Sequence, residues 1–239
     1  MSQHIGIVAC SAEGAALCYR TICDEAPAIM GKHTHPEVSM HTFPLAQYMR
    51  HVDGEKGWRG VAELMLASAD KLKKIGAEFL ICPDNTIHHA MPYVLPFSPL
   101  PWLHIAEEVG AEAQQRGFKK LGITGTKYTM DGTVYPEVLS RLEIQFRVPS
   151  PLDREKINSI IFDELVNGVF RSESLGVVRA ILDRLKSEGC DAVVLGCTEL
   201  PLLVSQENSP LPVLDSTRIL ARAAIRRATA RRSPKGGIH

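Results

Sequence analysis

Val193-Val194-Leu195-Gly196-Cys197-Thr198-Glu199-Leu200 is the stretch on which the reading of this 239-residue chain turns. Its apolar run follows Gly189-Cys190-Asp191 and stops at a glycine. A short run of that kind predicts a strand buried on both faces, with Gly196 opening a turn and Thr198 offering an N-cap oxygen to a following helix. Cys197 then stands at the carboxyl end of a parallel strand. Open α/β sheets bind ligands there, and a helix N-terminus at that point favours a thiolate.

The same phrase occurs earlier. Lys71 to Thr86 overlays Arg184 to Glu199 without a gap, so that Phe79-Leu80-Ile81-Cys82-Pro83-Asp84 falls on Ala192-Val193-Val194-Leu195-Gly196-Cys197 and Asp84 on the cysteine. His4 to Ala9 likewise resembles Lys120 to Gly125, and Leu100-Pro101-Trp102-Leu103 resembles Leu211-Pro212-Val213-Leu214. Such recurrence implies two similar lobes, each bringing one reactive side chain from the end of an equivalent strand. The expected fold is α/β with two pseudo-symmetric lobes, each a four-stranded parallel sheet flanked by helices, and the active site between them. Residues 1–105 with 216–239 form the first lobe in this reading, and 106–215 the second.

Composition narrows the function. Basic and acidic residues both total 27, so no global field exists to draw in nucleic acid or anionic lipid. The local cluster Arg222, Arg226, Arg227, Arg231 and Arg232 reads as a solvated helix face. No apolar run approaches the ~18 residues of a spanning helix, and Met1-Ser2-Gln3-His4 leads into a strand without a signal-peptide pattern. The six cysteines are dispersed with no Cys-x-x-Cys pair, which argues against disulfides and a zinc knuckle. A reducing cytoplasm is the expected compartment, and a homodimer the expected assembly.

Along the chain, strands are expected at Ile5 to Ala9, Pro36 to Phe43, Phe79 to Cys82 and Trp102 to Ile105 in the first lobe. In the second they are expected at Leu121 to Gly125, Leu142 to Val148, Asp191 to Leu195 and Pro212 to Leu214. Helices are expected at Ala15 to Glu25, Val61 to Ile75, Ala106 to Arg116, Ile157 to Leu165, Leu175 to Lys186 and Thr217 to Arg227. Pro44 to Trp58 reads as a mobile loop able to lid a pocket, and Ala228 to His239 as a frayed end.

Asp84 and Cys197 approaching from two lobes suit reversible inversion at a carbon acid, in which one group removes a proton and another returns one from behind. Ser11, Asn85, Thr86, Thr126 and Thr198 supply hydroxyl and amide groups fit for carboxylate oxygens, although Ser11 is equally fit to cap a helix. Arg50 and Lys156 are candidates for a distal anionic group. Cys82, two residues before Asp84, reads as core. His33-x-His35 lacks a carboxylate at ligand spacing, which weakens a metal-hydrolase reading. A non-catalytic small-molecule binding protein is a further alternative.

These residues resemble the aspartate/glutamate racemase superfamily. The resemblance runs through Gly6-Ile7-Val8, Asn85-Thr86-Ile87-His88, Gly125-Thr126-Lys127-Tyr128-Thr129-Met130, Lys156-Ile157-Asn158 and, most specifically, Gly196-Cys197-Thr198-Glu199. It implies a cofactor-independent amino-acid racemase or epimerase acting on a small carboxylate or amino acid, with Cys197 catalytic and Glu199 and Lys156 near the substrate. Two-cysteine members carry a thiol directly before Asn-Thr. Here that position is Asp84, which leaves open a single-cysteine isomerase or decarboxylase of the same superfamily.

Overall fold

In the computed structural model, which describes residues 2–230, Ile5–Ala9 (β1), Val38–Thr42 (β2) and Phe79–Ile81 (β3) form a parallel sheet of order β2-β1-β3. Lys120–Gly125 (β4), Gln145–Arg147 (β5), Ala192–Gly196 (β6) and Val213–Asp215 (β7) form a second parallel sheet of order β5-β4-β6-β7. Parallel neighbours require crossovers, and helices supply them. Ala12–Glu25 (α1) and Pro27–Met30 (α2) lead to β2, and Leu45–Val52 (α3) and Gly57–Lys74 (α4) lead to β3. Met91–Val94 (α5) and Ile105–Gln115 (α6) pass to the second sheet. There, Lys127–Met130 (α7) and Val134–Arg141 (α8) precede β5. Pro151–Ser159 (α9), a π turn at Ile160–Glu164 and Ser172–Ser187 (α10) precede β6. Leu200–Leu203 (α11) precedes β7, and Ser216–Thr229 (α12) follows it.

The internal repeat holds at the level of individual residue pairs. Ile5 pairs with Phe79 in the first sheet, and their counterparts Leu121 and Ala192 pair in the second. Leu80 bridges Trp102 as Val193 pairs with Val213. Both central strand pairs are buried on both faces, which is why β1, β3, β4 and β6 read as apolar runs rather than alternating ones.

Two expectations need correction. The fourth strand of the first sheet is reduced to one bridge: Leu80 donates to the Pro101 carbonyl and Leu103 to the Leu80 carbonyl, but the ladder goes no further. The Ile105 N–H, next in line for that ladder, turns instead to His88 Nε2 at 3.2 Å. The segment read as a loop from Pro44 to Trp58 contains α3 and the start of α4. Its Leu45, Tyr48, Met49 and Val52 fall at helical spacing, and Tyr48 is wholly buried.

Helix α12 belongs to the core rather than to solvent. Leu220, Ala221, Ala224, Ile225 and Ala228 pack with Ile5, Ile7, Cys18 and Ile22 of the first sheet's layer, while Ile219 joins the second sheet's cluster. Arg222 makes a two-pronged pair with Glu25 at 2.7 and 2.8 Å, and Arg227 lies 4.8 Å from the Phe79 ring centre. Arg222 and Arg226 lie exposed on the outer face of the helix, as a solvated face requires, and their pairs tether it there. Arg231 and Arg232 lie outside the described residues, and Ala228 and Thr229 remain helical. Among the described residues no helix is long and apolar enough to cross a membrane.

Candidate active site

In each sheet the chain leaves the first strand toward one neighbour and returns on the other side, so the carboxyl ends of β1 and β3, and of β4 and β6, diverge. Such divergence points are where open α/β sheets form crevices. Here the two crevices face each other. Cys10, Ser11, Asp84 and Thr86 from the first lobe and Thr126, Cys197, Thr198 and Glu199 from the second line one cleft, with about 670 Å³ of empty space including its open mouth.

Cys197 is 6% exposed, and its thiol donates to Glu199 Oε2 at 2.9 Å. Burial, then the negative charge and hydrogen bond of Glu199, push that thiol well above its ordinary value; the N–H groups of Glu199 and Leu200 pull the other way and lose. The sequence reading expected the reverse. It took Thr198 as the N-cap of the following helix, whereas α11 is one turn long, its N-cap is Glu199, and no side chain caps it. Thr198 instead packs against the start of α1, where a Cβ added to Gly14 would stand 2.3 Å from Thr198 Cγ2. Only glycine lets the two lobes approach so closely here.

Asp84 lies at the opposite wall, half-buried. Desolvation first, and repulsion from Glu199 second, raise its carboxyl to about 6, against bonds from the backbone of Ile87 and Thr86. The Ile87 N–H donates to Asp84 Oδ1 at 3.4 Å. The Cys10 thiol lies against this carboxyl and is pushed far above its usual range, chiefly by burial. Cys82 is fully buried among Val8, Met65 and Leu80, a core residue as expected.

The remaining candidates divide. Ser11 lines the cleft and also caps α1, accepting from Gly14 N at 3.2 Å. The hydroxyls of Thr86 and Thr126 meet across the lobes at 3.2 Å, with Thr129 beside both. Asn85 touches the cleft, but its amide is spent between the lobes: Nδ2 donates to Ser216 Oγ at 2.9 Å, and the Tyr135 hydroxyl donates to its Oδ1 at 2.6 Å. Arg50 and Lys156 do not line the cleft. Arg50 is exposed on α3, and Lys156 is half-exposed, 3.7 Å from Asp153. The core-facing residue of that stretch is Ile157, and adjacent helical residues point about 100° apart.

The sequence reading missed several lining groups. Cys10 ends β1 just as Asp84 follows β3, a signal visible in the repeat but not used. Leu45, Met49 and Val52 come from the overlooked α3. Ile161 and Phe162 come from the π turn, a wider coil frequent at functional sites and without a residue signature. Tyr128 also lines the mouth, and its hydroxyl donates to Asp53 Oδ1 at 3.1 Å, joining the two lobes there.

Relatives share this architecture. A crystal structure from Yersinia pestis, of an Asp/Glu racemase candidate, superposes with TM-score 0.87 at 29% identity, covering 95% of this chain and 99% of that one. An aspartate racemase homologue from Pyrococcus horikoshii OT3 gives 0.84 at 30% identity, with the same coverage. The broad specificity amino-acid racemase RacX of Bacillus subtilis is 24% identical over 195 residues, 80% of this chain and 81% of that protein. The Asp/Glu/Hydantoin racemase profile matches residues 7–224. That match runs through both lobes and every loop of the cleft, and the chain belongs to the Asp/Glu/hydantoin racemase family.

Proposed function

We propose that the protein is a cofactor-independent amino-acid racemase or epimerase that inverts Cα by moving protons on opposite faces, with Cys197 on one and Asp84 on the other. One observation carries this reading: the two side chains follow equivalent strands of a repeated lobe, in matched register, and line the same cleft from opposite sides. In the resting form the buried thiol holds its proton against Glu199, and Asp84 is the group free to accept one at neutral pH. Asp84 takes the Cα proton, Cys197 delivers its own to the opposite face, and the used pair is left as a carboxylic acid and a thiolate. That spent pair is set to catalyse the reverse reaction. The hydroxyls of Thr86 and Thr126 support binding of the substrate carboxylate.

The weak point of a carboxylate is basicity. Free aspartate and cysteine differ by about 4.6 pH units, or about 6 kcal/mol of proton-transfer driving force. Raising Asp84 to about 6 recovers part of that on its side. The residual gap favours a second reading in which Cys197 alone does the proton work, as the single-cysteine decarboxylase relatives suggest, while Asp84 binds a substrate ammonium or hydroxyl.

The test is solvent-deuterium exchange at Cα across a panel of amino acids, without added pyridoxal phosphate. Incorporation accompanied by the opposite enantiomer is expected. A panel with neither exchange nor inversion defeats the racemase reading.

A further inference from the structure

We infer that the substrate is a free amino acid with an uncharged, apolar side chain, which packs between α3 and the π turn that follows α9. The inference rests on the racemase reading above and names the class of compound that site takes.

The charges lining the cleft are those of Asp84 and Glu199, and no described Lys or Arg is among the lining residues. An amino acid brings one ammonium and one carboxylate. The first finds a carboxylate, and the second finds the hydroxyls of Thr86 and Thr126. A second carboxylate, as in aspartate or glutamate, would enter a space that already holds two acidic groups and offers no cation. Burying an unpaired charge is costly, and a like charge makes it more so.

The remaining wall is of one character. Leu45, Met49 and Val52 project from α3, with Ile161, Phe162 and Val166 opposite them on the π turn and the short turn after it. Three of these keep large apolar surfaces bare: Leu45 is 46% exposed, Phe162 42% and Val166 49%. Large apolar groups left open beside reacting residues are covered favourably by an apolar ligand group, each buried methylene strengthening binding about fourfold. A cationic side chain such as lysine's would meet no acid among the lining residues of that wall.

Initial rates of Cα deuterium exchange should be compared for L-leucine, L-methionine and L-phenylalanine against L-aspartate, L-glutamate and L-lysine. We expect kcat/KM for the best apolar substrate to exceed that for every charged one at least tenfold. Aspartate, glutamate or lysine exchanging fastest overturns the inference while leaving the racemase reading intact. No exchange with any amino acid defeats both. Val166→Lys, at a half-exposed position that tolerates a long side chain, should narrow the preference for leucine over glutamate at least tenfold. Phe162→Ala should raise KM for leucine with kcat kept. An unchanged leucine-to-glutamate ratio in Val166→Lys together with an unchanged KM in Phe162→Ala means that this wall does not hold the side chain.

Discussion

The two lobes repeat their backbone almost residue for residue, yet the walls they present to the cleft differ in chemistry. On the second lobe a thiol follows the strand and a carboxylate, Glu199, takes its hydrogen bond two residues later. On the first lobe the carboxylate follows the strand, and the thiol lying against it, Cys10, comes from the neighbouring strand's end. Both walls thus hold one sulfur and one carboxyl group with their positions exchanged. Strand register is set by burial on both faces and leaves little freedom. The residue just past the strand is bound by no such demand, so chemistry can change there while geometry stays fixed.

The comparison is broken most severely by removing the second wall's sulfur. Cys197→Ala should lower exchange and inversion by about a hundred- to ten-thousandfold, with a thermal midpoint close to wild type because a small side chain at a cleft wall leaves little cavity. Near-normal turnover in that variant would mean that the thiol is not a proton carrier.

Asp84→Asn sharpens the contrast between walls. It should cut inversion by about a hundredfold or more and abolish the acidic limb of kcat/KM near pH 6, while exchange from the Cys197 face survives. Two-way racemisation at the wild-type rate would leave Asp84 as a binding residue. The same variant has a signature independent of activity. The Asp84 carboxyl holds its proton more tightly folded, at about 6, than at its ordinary 3.8. Its contribution to stability is therefore full below about pH 4 and is lost as pH rises through 6. The thermal midpoint of Asp84→Asn relative to wild type should climb between pH 4 and 7.5, and a flat difference would contradict the raised carboxyl.

The seam between the lobes gives a smaller effect. Gly14→Ala forces a methyl group against Thr198 and should cost about 1–3 kcal/mol, a few degrees in melting temperature. A neutral result would show that the turn can retreat from α1. Smallest of all, Lys156→Ala should alter KM for acidic and neutral amino acids alike, since the half-exposed pair with Asp153 is worth under about 1 kcal/mol. A selective loss for acidic substrates would bring the lysine back to the cleft.

What could be read from the sequence followed from burial. The strands, their repeat and the emergence of Asp84 and Cys197 at equivalent ends all come from apolar runs closed by Gly or Pro. Helix α3 was legible too, since Leu45, Tyr48, Met49 and Val52 recur at i, i+3, i+4 and i+7, but Pro44 and Gly54 drew attention to a loop. The protonation of Cys197 was not legible, because it depends on which of two opposed influences prevails: Glu199 and burial outweigh the local N–H groups. Nor was the apolar end of the cleft, where Ile161 and Phe162 stand on a π turn whose hydrogen bonding no residue pattern announces.

Helix α12 has a consequence for how the protein is made. Its Leu220, Ala221, Ala224 and Ile225 fill the layer over β1, so the first sheet lacks one of its covers until Ser216–Thr229, which follows both sheets, has been synthesised. Domains ordinarily fold as they emerge, amino-terminal half first. Here the half that leaves the ribosome first is the half completed last, and during elongation Ile5, Ile7 and Cys18 keep an uncovered apolar face. Truncation before Ser216 would make that passing state permanent.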